Sequence, residues 1–214
     1  MNNSRFLKRI ARSYVRWFGW CRCLVFLLLL WAGSSLPVAG AALLTFDDLT
    51  DNGIPISNGY GGLQWSNFYV LNAVTFAGNP SGYLAGMITR SNVAYNAFGS
   101  PARLFNANPF DLNSGYFTAA WNDGLHLEVK GYIGLTLAYD NSYTLSAATP
   151  SLLNFNYVGV TAVDFISSGG TPYPPYGGNG THFAMDNLTV TIAPEPSGIV
   201  LLMLGMLGLR KLKC

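Results

Sequence analysis

Between residues 42 and 193 the chain has no cysteine; its three cysteines are Cys21, Cys23 and Cys214. No disulfide and no thiolate metal site is therefore available to that stretch, which must hold itself together by core packing. Charge is scarce as well. The stretch carries three cations, Arg90, Arg103 and Lys130, against nine acids, a net charge of −6. So few and scattered cations cannot neutralise a run of phosphates, which excludes nucleic acid as a partner and disfavours anionic lipid. Neutral polysaccharide, divalent cations and other proteins stay open.

Catalytic residue types are equally sparse. The stretch holds two histidines, His126 and His182, and one glutamate, Glu128. His126 and Glu128 are two residues apart, on one face of an expected strand, where each reads as a solvent-facing side chain. There is no Gly-x-Ser-x-Gly elbow, no His-Glu-x-x-His helix and no phosphate-cradling loop. A pair of aspartates could hydrolyse a glycosidic bond, but only at a separation that a sequence does not display. The expectation is a non-enzymatic protein.

Sustained helical periodicity and fixed-period repeats are also missing from residues 43–192, which argues against helical bundles, propellers and solenoids. What is present is a series of short apolar runs, aromatic or β-branched, separated by Gly, Asn, Pro and Ser. Strands are expected at 43–46, 63–70, 83–89 and 116–121. Residues 125–130 alternate apolar with polar, the pattern of a strand with one wet face. A partner strand is expected at 133–139 after a turn at Gly131-Tyr132, with an extension at 143–145. Further strands follow at 152–158 and 160–166, separated by Gly159, and at 183–192, where Asp186, Thr189 and Thr191 are the expected wet positions. Nine or ten strands in 152 residues indicate an all-β fold, a two-sheet β-sandwich of jelly-roll type. Residues 168–180 hold three prolines and five glycines in thirteen positions and are expected to be an unpaired loop.

Both ends carry export features. Residues 1–22 contain Arg5, Lys8, Arg9, Arg12, Arg16 and Arg22 with no acid, an apolar stretch follows at 24–32, and Ala39-Gly40-Ala41 supplies small residues for cleavage. This is the layout of a signal peptide over residues 1–41. At the other end, Pro194-Glu195-Pro196-Ser197 precedes an apolar run at 198–209 and the cations Arg210, Lys211 and Lys213. Twelve apolar residues span about 18 Å as a helix, short of the roughly 30 Å of a bilayer core, so spanning requires snorkelling lysines and a thinned bilayer. The same run would otherwise serve as a short buried helix.

The order Pro-Glu-Pro, hydrophobic helix, basic tail resembles the PEP-CTERM sorting signal of Gram-negative bacteria. The resemblance covers 194–214, about a tenth of the chain. It implies export, transient association with the inner membrane, and processing by an exosortase as a partner, often in species that make extracellular polysaccharide. The chain thus divides into a signal peptide (1–41), a β-sandwich domain (42–193) and a sorting signal (194–214).

Two candidate sites lie in the domain. Asp47 and Asp48 end the first expected strand and Asp186 lies in the last, and first and last strands of a jelly roll are commonly neighbours. Hard oxygen ligands converging there would suit a calcium ion; the other reading is that these acids end strands and keep the surface soluble. The domain also loosely resembles jelly-roll carbohydrate-binding modules, which implies a structural calcium near the chain ends. The second candidate is aromatic. Trp65, Tyr69, Trp121, Tyr132, Tyr139, Tyr173 and Tyr176 exceed what a small core needs. Trp65 and Trp121 are expected to be core, whereas Tyr173 and Tyr176 sit in the Pro/Gly loop without apolar neighbours and are the expected glycan contacts. The function expected first is an exported surface or matrix protein with a role in biofilm or envelope architecture. A carbohydrate-binding module for extracellular polysaccharide is the alternative, and a secreted hydrolase the third.

Overall fold

The computed structural model describes residues 40–50 and 53–192. Residues 1–39 of the expected signal peptide, the expected sorting motif with Pro194, Glu195, Pro196, Ser197, Arg210, Lys211 and Lys213, and the apolar run at 198–209 lie outside the described residues, whereas Ala41, the last residue of that expected peptide, is described.

Twelve strands are present among the described residues. They are β1 (Ala41–Leu44), β2 (Ile54–Pro55), β3 (Gln64–Ser66), β4 (Phe68–Asn72), β5 (Asn92–Asn96), β6 (Ala102–Ala119), β7 (Asn122–Asp123), β8 (Leu125–Ile133), β9 (Thr136–Leu145), β10 (Ser151–Ser168), β11 (Thr171–Pro172) and β12 (Phe183–Ile192). One four-residue helix, α1 (Gly82–Ala85), lies between β4 and β5. The main ladder runs β2-β4-β5-β12-β6-β10-β8-β9, with β1 on β12 and β3 on β6, and every pairing is antiparallel.

A single ladder becomes a sandwich because β6 and β10, each 18 residues long, fold back near their midpoints. The first half of β10 pairs with residues 110–117 of β6, beside β12; its second half pairs with 102–105 of β6 and with β8. Register shifts fall between Asn154 and Ala162, where Asn156 (φ 52) and Gly159 (φ 68) leave the strand conformation. Such bulges bend a strand and increase its twist. The consequence is visible in the core. Phe117 pairs in register with Ser151 and Phe165 with Ala102, yet their rings stack at 5.8 Å, facing each other across the interior. The first layer is β2-β4-β5-β12 with the second half of β6 and the first half of β10; the second is β3, the other two halves, β8 and β9.

Phe46, Trp65, Phe68, Phe110, Phe117, Phe155, Phe165 and Phe183 fill the space between the layers. A second, smaller core lies on the outer face of the first layer, where Leu71, Val93 and Ala184 meet Ala73, Tyr83 and Ala120. The segment that covers this face, 73–91, carries α1. It approaches closely because position 82 is glycine: a Cβ there would fall 1.8 Å from the carbonyl oxygen of Ala119.

The all-β sandwich, the pairing of the first strand with the last and the bounds of β12 agree with the sequence reading. Several particulars do not. The strand expected at 63–70 is two, broken at Asn67, whose backbone is left-handed (φ 56). Residues 83–89 form α1 and turns in place of a strand, because Tyr83 is held down by packing on Trp121 and Phe76 and makes no ladder contact. The turn after β8 is at Gly134-Leu135, not Gly131-Tyr132, and the two strands expected around Gly159 are one. The 168–180 loop pairs briefly, as β11 on β7. Asp186, an expected wet position, is fully buried because 73–91 lies over it.

Candidate functional site

Alternation along β4 and β5 sends Phe68, Val70 and Ala94 inward and leaves Tyr69 and Tyr95 on the outer face. These two are direct cross-strand partners with ring centroids 5.9 Å apart, within the range of favourable aromatic pairs. Phe98 extends the pair at 6.1 Å from Tyr69. On the other side Tyr95 meets Tyr83 at 5.4 Å, and Tyr83 meets Trp121 at 5.7 Å and Phe76 at 5.2 Å. Six rings therefore form a line across the outer face. Tyr83 is buried beneath it, Tyr69, Tyr95, Trp121 and Phe76 are half-buried, and Phe98 is 80% exposed.

Phe98 is held in place at some energetic cost. Its backbone is left-handed (φ 59), which costs a residue other than glycine about 1–3 kcal/mol. The turn persists because three side chains brace it. Asn67 Nδ2 donates to the carbonyls of Ala97, Ser100 and Pro101, Asn96 Nδ2 donates to Ser100, and Thr181 Oγ1 donates to Gly99. A braced, strained turn that presents a large ring to solvent has no value to the core. Burial and the neighbouring Tyr69 push the Tyr95 phenol up, so its hydroxyl stays protonated at neutral pH and can donate.

The sequence reading counted Tyr69 among the large rings but did not single out this line. Tyr173 and Tyr176, singled out instead, form an edge-to-face pair at 4.9 Å and pack against the main core. The Tyr176 hydroxyl donates to the carbonyl of Ala147 at 2.8 Å, and the Tyr173 N–H donates to Trp121. The expectation that these two lack apolar neighbours is therefore corrected, because the loop folds onto the body and lays Gly178 against the indole of Trp121. Trp65 is buried as expected.

The terminal acids are not gathered into one ligand set. Asp47 Oδ1 accepts the Asn92 N–H at 2.8 Å, and Asp48 Oδ1 accepts the Tyr60 hydroxyl at 2.8 Å. Asp186 accepts the N–H groups of Ile88, Thr89 and Asn187. Asn92 Nδ2 donates to the carbonyls of Phe46 and Leu49 at 3.0 and 2.9 Å. Each of these three carboxylates therefore already accepts at least one hydrogen bond from the protein. Among the described residues no group of three His, Cys, Asp or Glu side chains could hold a metal, and no helix is long and apolar enough to cross a membrane.

No protein-family model matches the chain, and no curated protein sequence matches it. Solved structures do resemble it. A DUF4465 family protein from Bacteroides caccae shares 10% identity at a TM-score of 0.53, covering 72% of this chain and 99% of its own. The K1 cleaved adhesin domain of Lys-gingipain from Porphyromonas gingivalis shares 13% identity at 0.41, covering 72% of this chain and 99% of its own. A family 61 carbohydrate-binding module solved with β-1,4-galactotriose shares 10% at 0.32, covering 67% and 99%. The first of these likenesses shows a shared β-sandwich fold.

Proposed function

We propose that the sandwich is an exported, non-enzymatic glycan-binding module whose binding face is the aromatic line at Tyr69, Tyr95 and Phe98. The observation that carries this reading is the braced turn that holds Phe98 in solvent beside the Tyr69–Tyr95 pair. Flat ring faces take the apolar C–H face of a pyranose, and the Tyr95 hydroxyl serves the polar edge. The ligand class is a neutral polysaccharide, since an acidic body with few cations offers little to an anionic chain. Tyr69→Ala and Phe98→Ala are each expected to weaken binding about tenfold, which corresponds to about 1.4 kcal/mol, on an array of neutral glycans probed with the purified protein. Retained affinity in both variants with loss in Tyr176→Ala moves the site to the 168–180 loop. No binding to any neutral glycan overturns the module reading and leaves a structural role in the envelope or matrix.

The route is part of the proposal. The Pro194-Glu195-Pro196 pattern, the apolar run at 198–209 and the basic tail support sorting through an exosortase, with transient attachment to the inner membrane and delivery to the cell surface. The intact mass of the mature protein is expected to correspond to an end near Pro194 in the host, and to an unprocessed tail in a host lacking the exosortase. An unprocessed tail in both hosts overturns the route.

A further inference from the structure

One end of the sandwich is apolar in a way the glycan face does not use. Phe105, Ala162, Tyr132 and Leu137 occupy consecutive strands in register, one from each of β6, β10, β8 and β9, so they form a row on the outer face of the second layer. Beyond this row the β8–β9 turn projects Ile133, Gly134 and Leu135. Leu135 is 102% exposed, and Ile133, Leu137 and Phe105 are exposed as well. From residue 131 to 139 the chain carries no charge.

Two residues back along β6, β10 and β8, and three along β9 past a register shift, the character changes completely. Arg103, Asp164, Lys130 and Asp140 form the next outward row. Arg103 pairs with Asp164 and Lys130 with Glu128, while the Arg103 guanidinium lies 5.7 Å over the Tyr132 ring. The rows are about 7 Å apart, at about 3.4 Å per residue. An apolar tip, an aromatic ring at its base and a charged band behind it match the polarity profile of a bilayer surface, where apolar side chains enter by about 5–10 Å and Tyr and Arg sit at headgroup level. The charged row contains two of the three cations of residues 42–193, and its four side chains sum to zero. The surrounding acidic surface is therefore not a barrier at this end.

Both described chain ends emerge at the same place. Ala41 pairs with Thr191, Ile192 with Phe110, and Phe110 with Val160, which neighbours the Ala162 row. The apolar run at 198–209 begins after a connector of five residues, 193–197, which spans at most about 18 Å. If that run enters a membrane, this end cannot be far from the surface.

We propose that the β8–β9 tip, centred on Leu135, inserts into the interface of a zwitterionic lipid bilayer and orients the sandwich on it. The proposal rests on the membrane reading of 198–209 for its tether, and the test separates the two. In the full chain with Cys21, Cys23 and Cys214 changed to Ser, Leu135→Cys carries an environment-sensitive dye and is mixed with phosphatidylcholine vesicles. Leu152→Cys, which pairs with Tyr116 well away from this end, is the matched control, and a third chain labelled only at Cys214 reports the tail. The expected result is a blue shift of the dye at 135, quenched by brominated lipid, with no shift at 152. A shifted tail with an unchanged 135 overturns the tip proposal and leaves the sorting reading standing; no shift at either overturns both. Equal shifts at 135 and 152, or a shift at 135 without vesicles that grows with protein concentration, also overturn it, the latter in favour of a second copy of the chain.

Discussion

Asp186→Ala lowers the unfolding free energy by about 2–4 kcal/mol in urea titrations at neutral pH, and by more in acid. The carboxylate is fully buried under 73–91 and accepts N–H groups from Ile88 at 2.7 Å, Thr89 at 2.9 Å and Asn187 at 2.7 Å. Truncation leaves three partly buried donors without that partner, each costing up to about 1–3 kcal/mol before relaxation and access of water, while removing a desolvated charge offsets part of the loss. Burial, reinforced by Asp47, pushes the Asp186 carboxyl up to about 6, against the opposing pull of those three N–H groups. A pKa raised on folding means that the folded state binds the proton more tightly than the unfolded state. The group's contribution is then complete below the ordinary value near 4, and is lost as pH rises through about 6. Wild type therefore gains about 2 kcal/mol from this group between pH 7 and pH 4.5, and Asp186→Ala gains none of it. Equal losses at the two pH values would remove the buried-carboxylate account.

Phe165→Ala costs about 3–5 kcal/mol, as truncation of a fully buried phenylalanine does. At roughly 2–4 °C per kcal/mol for a domain of this size, the melting temperature falls by about 10–15 °C. Phe165 sits in the half of β10 that belongs to the second layer, and its ring meets Phe68 at 5.5 Å, Phe117 at 5.8 Å, Phe155 at 6.2 Å and Phe183 at 6.2 Å. All four belong to the first layer, so the void would open where the two layers meet. Phe76→Ala, on the smaller outer core and half-buried, is the comparison. A loss at Phe165 no larger than at Phe76 would mean that the two layers are not held by this ring.

These two residues mark what could and could not be read from the sequence. β12 was legible because Phe183, Met185, Leu188 and Val190 are apolar, bounded by a glycine-rich stretch before and Pro194 after. β5 was not, because Asn92 and Asn96 at its ends are polar yet buried, each spending its amide on backbone carbonyls. Strand-level alternation assigns Asp186 to a wet face, and only the distant segment that covers it reverses the assignment. The aromatic line was hidden for a related reason. Tyr69 and Tyr95 are 26 positions apart, and nothing local says that β4 and β5 pair in the register that puts one ring beside the other. Phe98 was missed because a positive φ in a residue other than glycine leaves no compositional trace. The Tyr173–Tyr176 choice failed in its premise, since a loop rich in Pro and Gly can still be tied down by its backbone, here to Trp121.

The position of β12 bears on how the chain is made. The last strand lies between β5 and β6 and also receives β1, so the earlier strands of the first layer remain two unjoined groups until residues 183–192 arrive. Contacts that close a sandwich only through its final strand are slow to form, and a ribosome emits some 5–20 residues per second. During the many seconds before that strand emerges, the second layer can pair while the first cannot close, so the two faces of the core become available at different times.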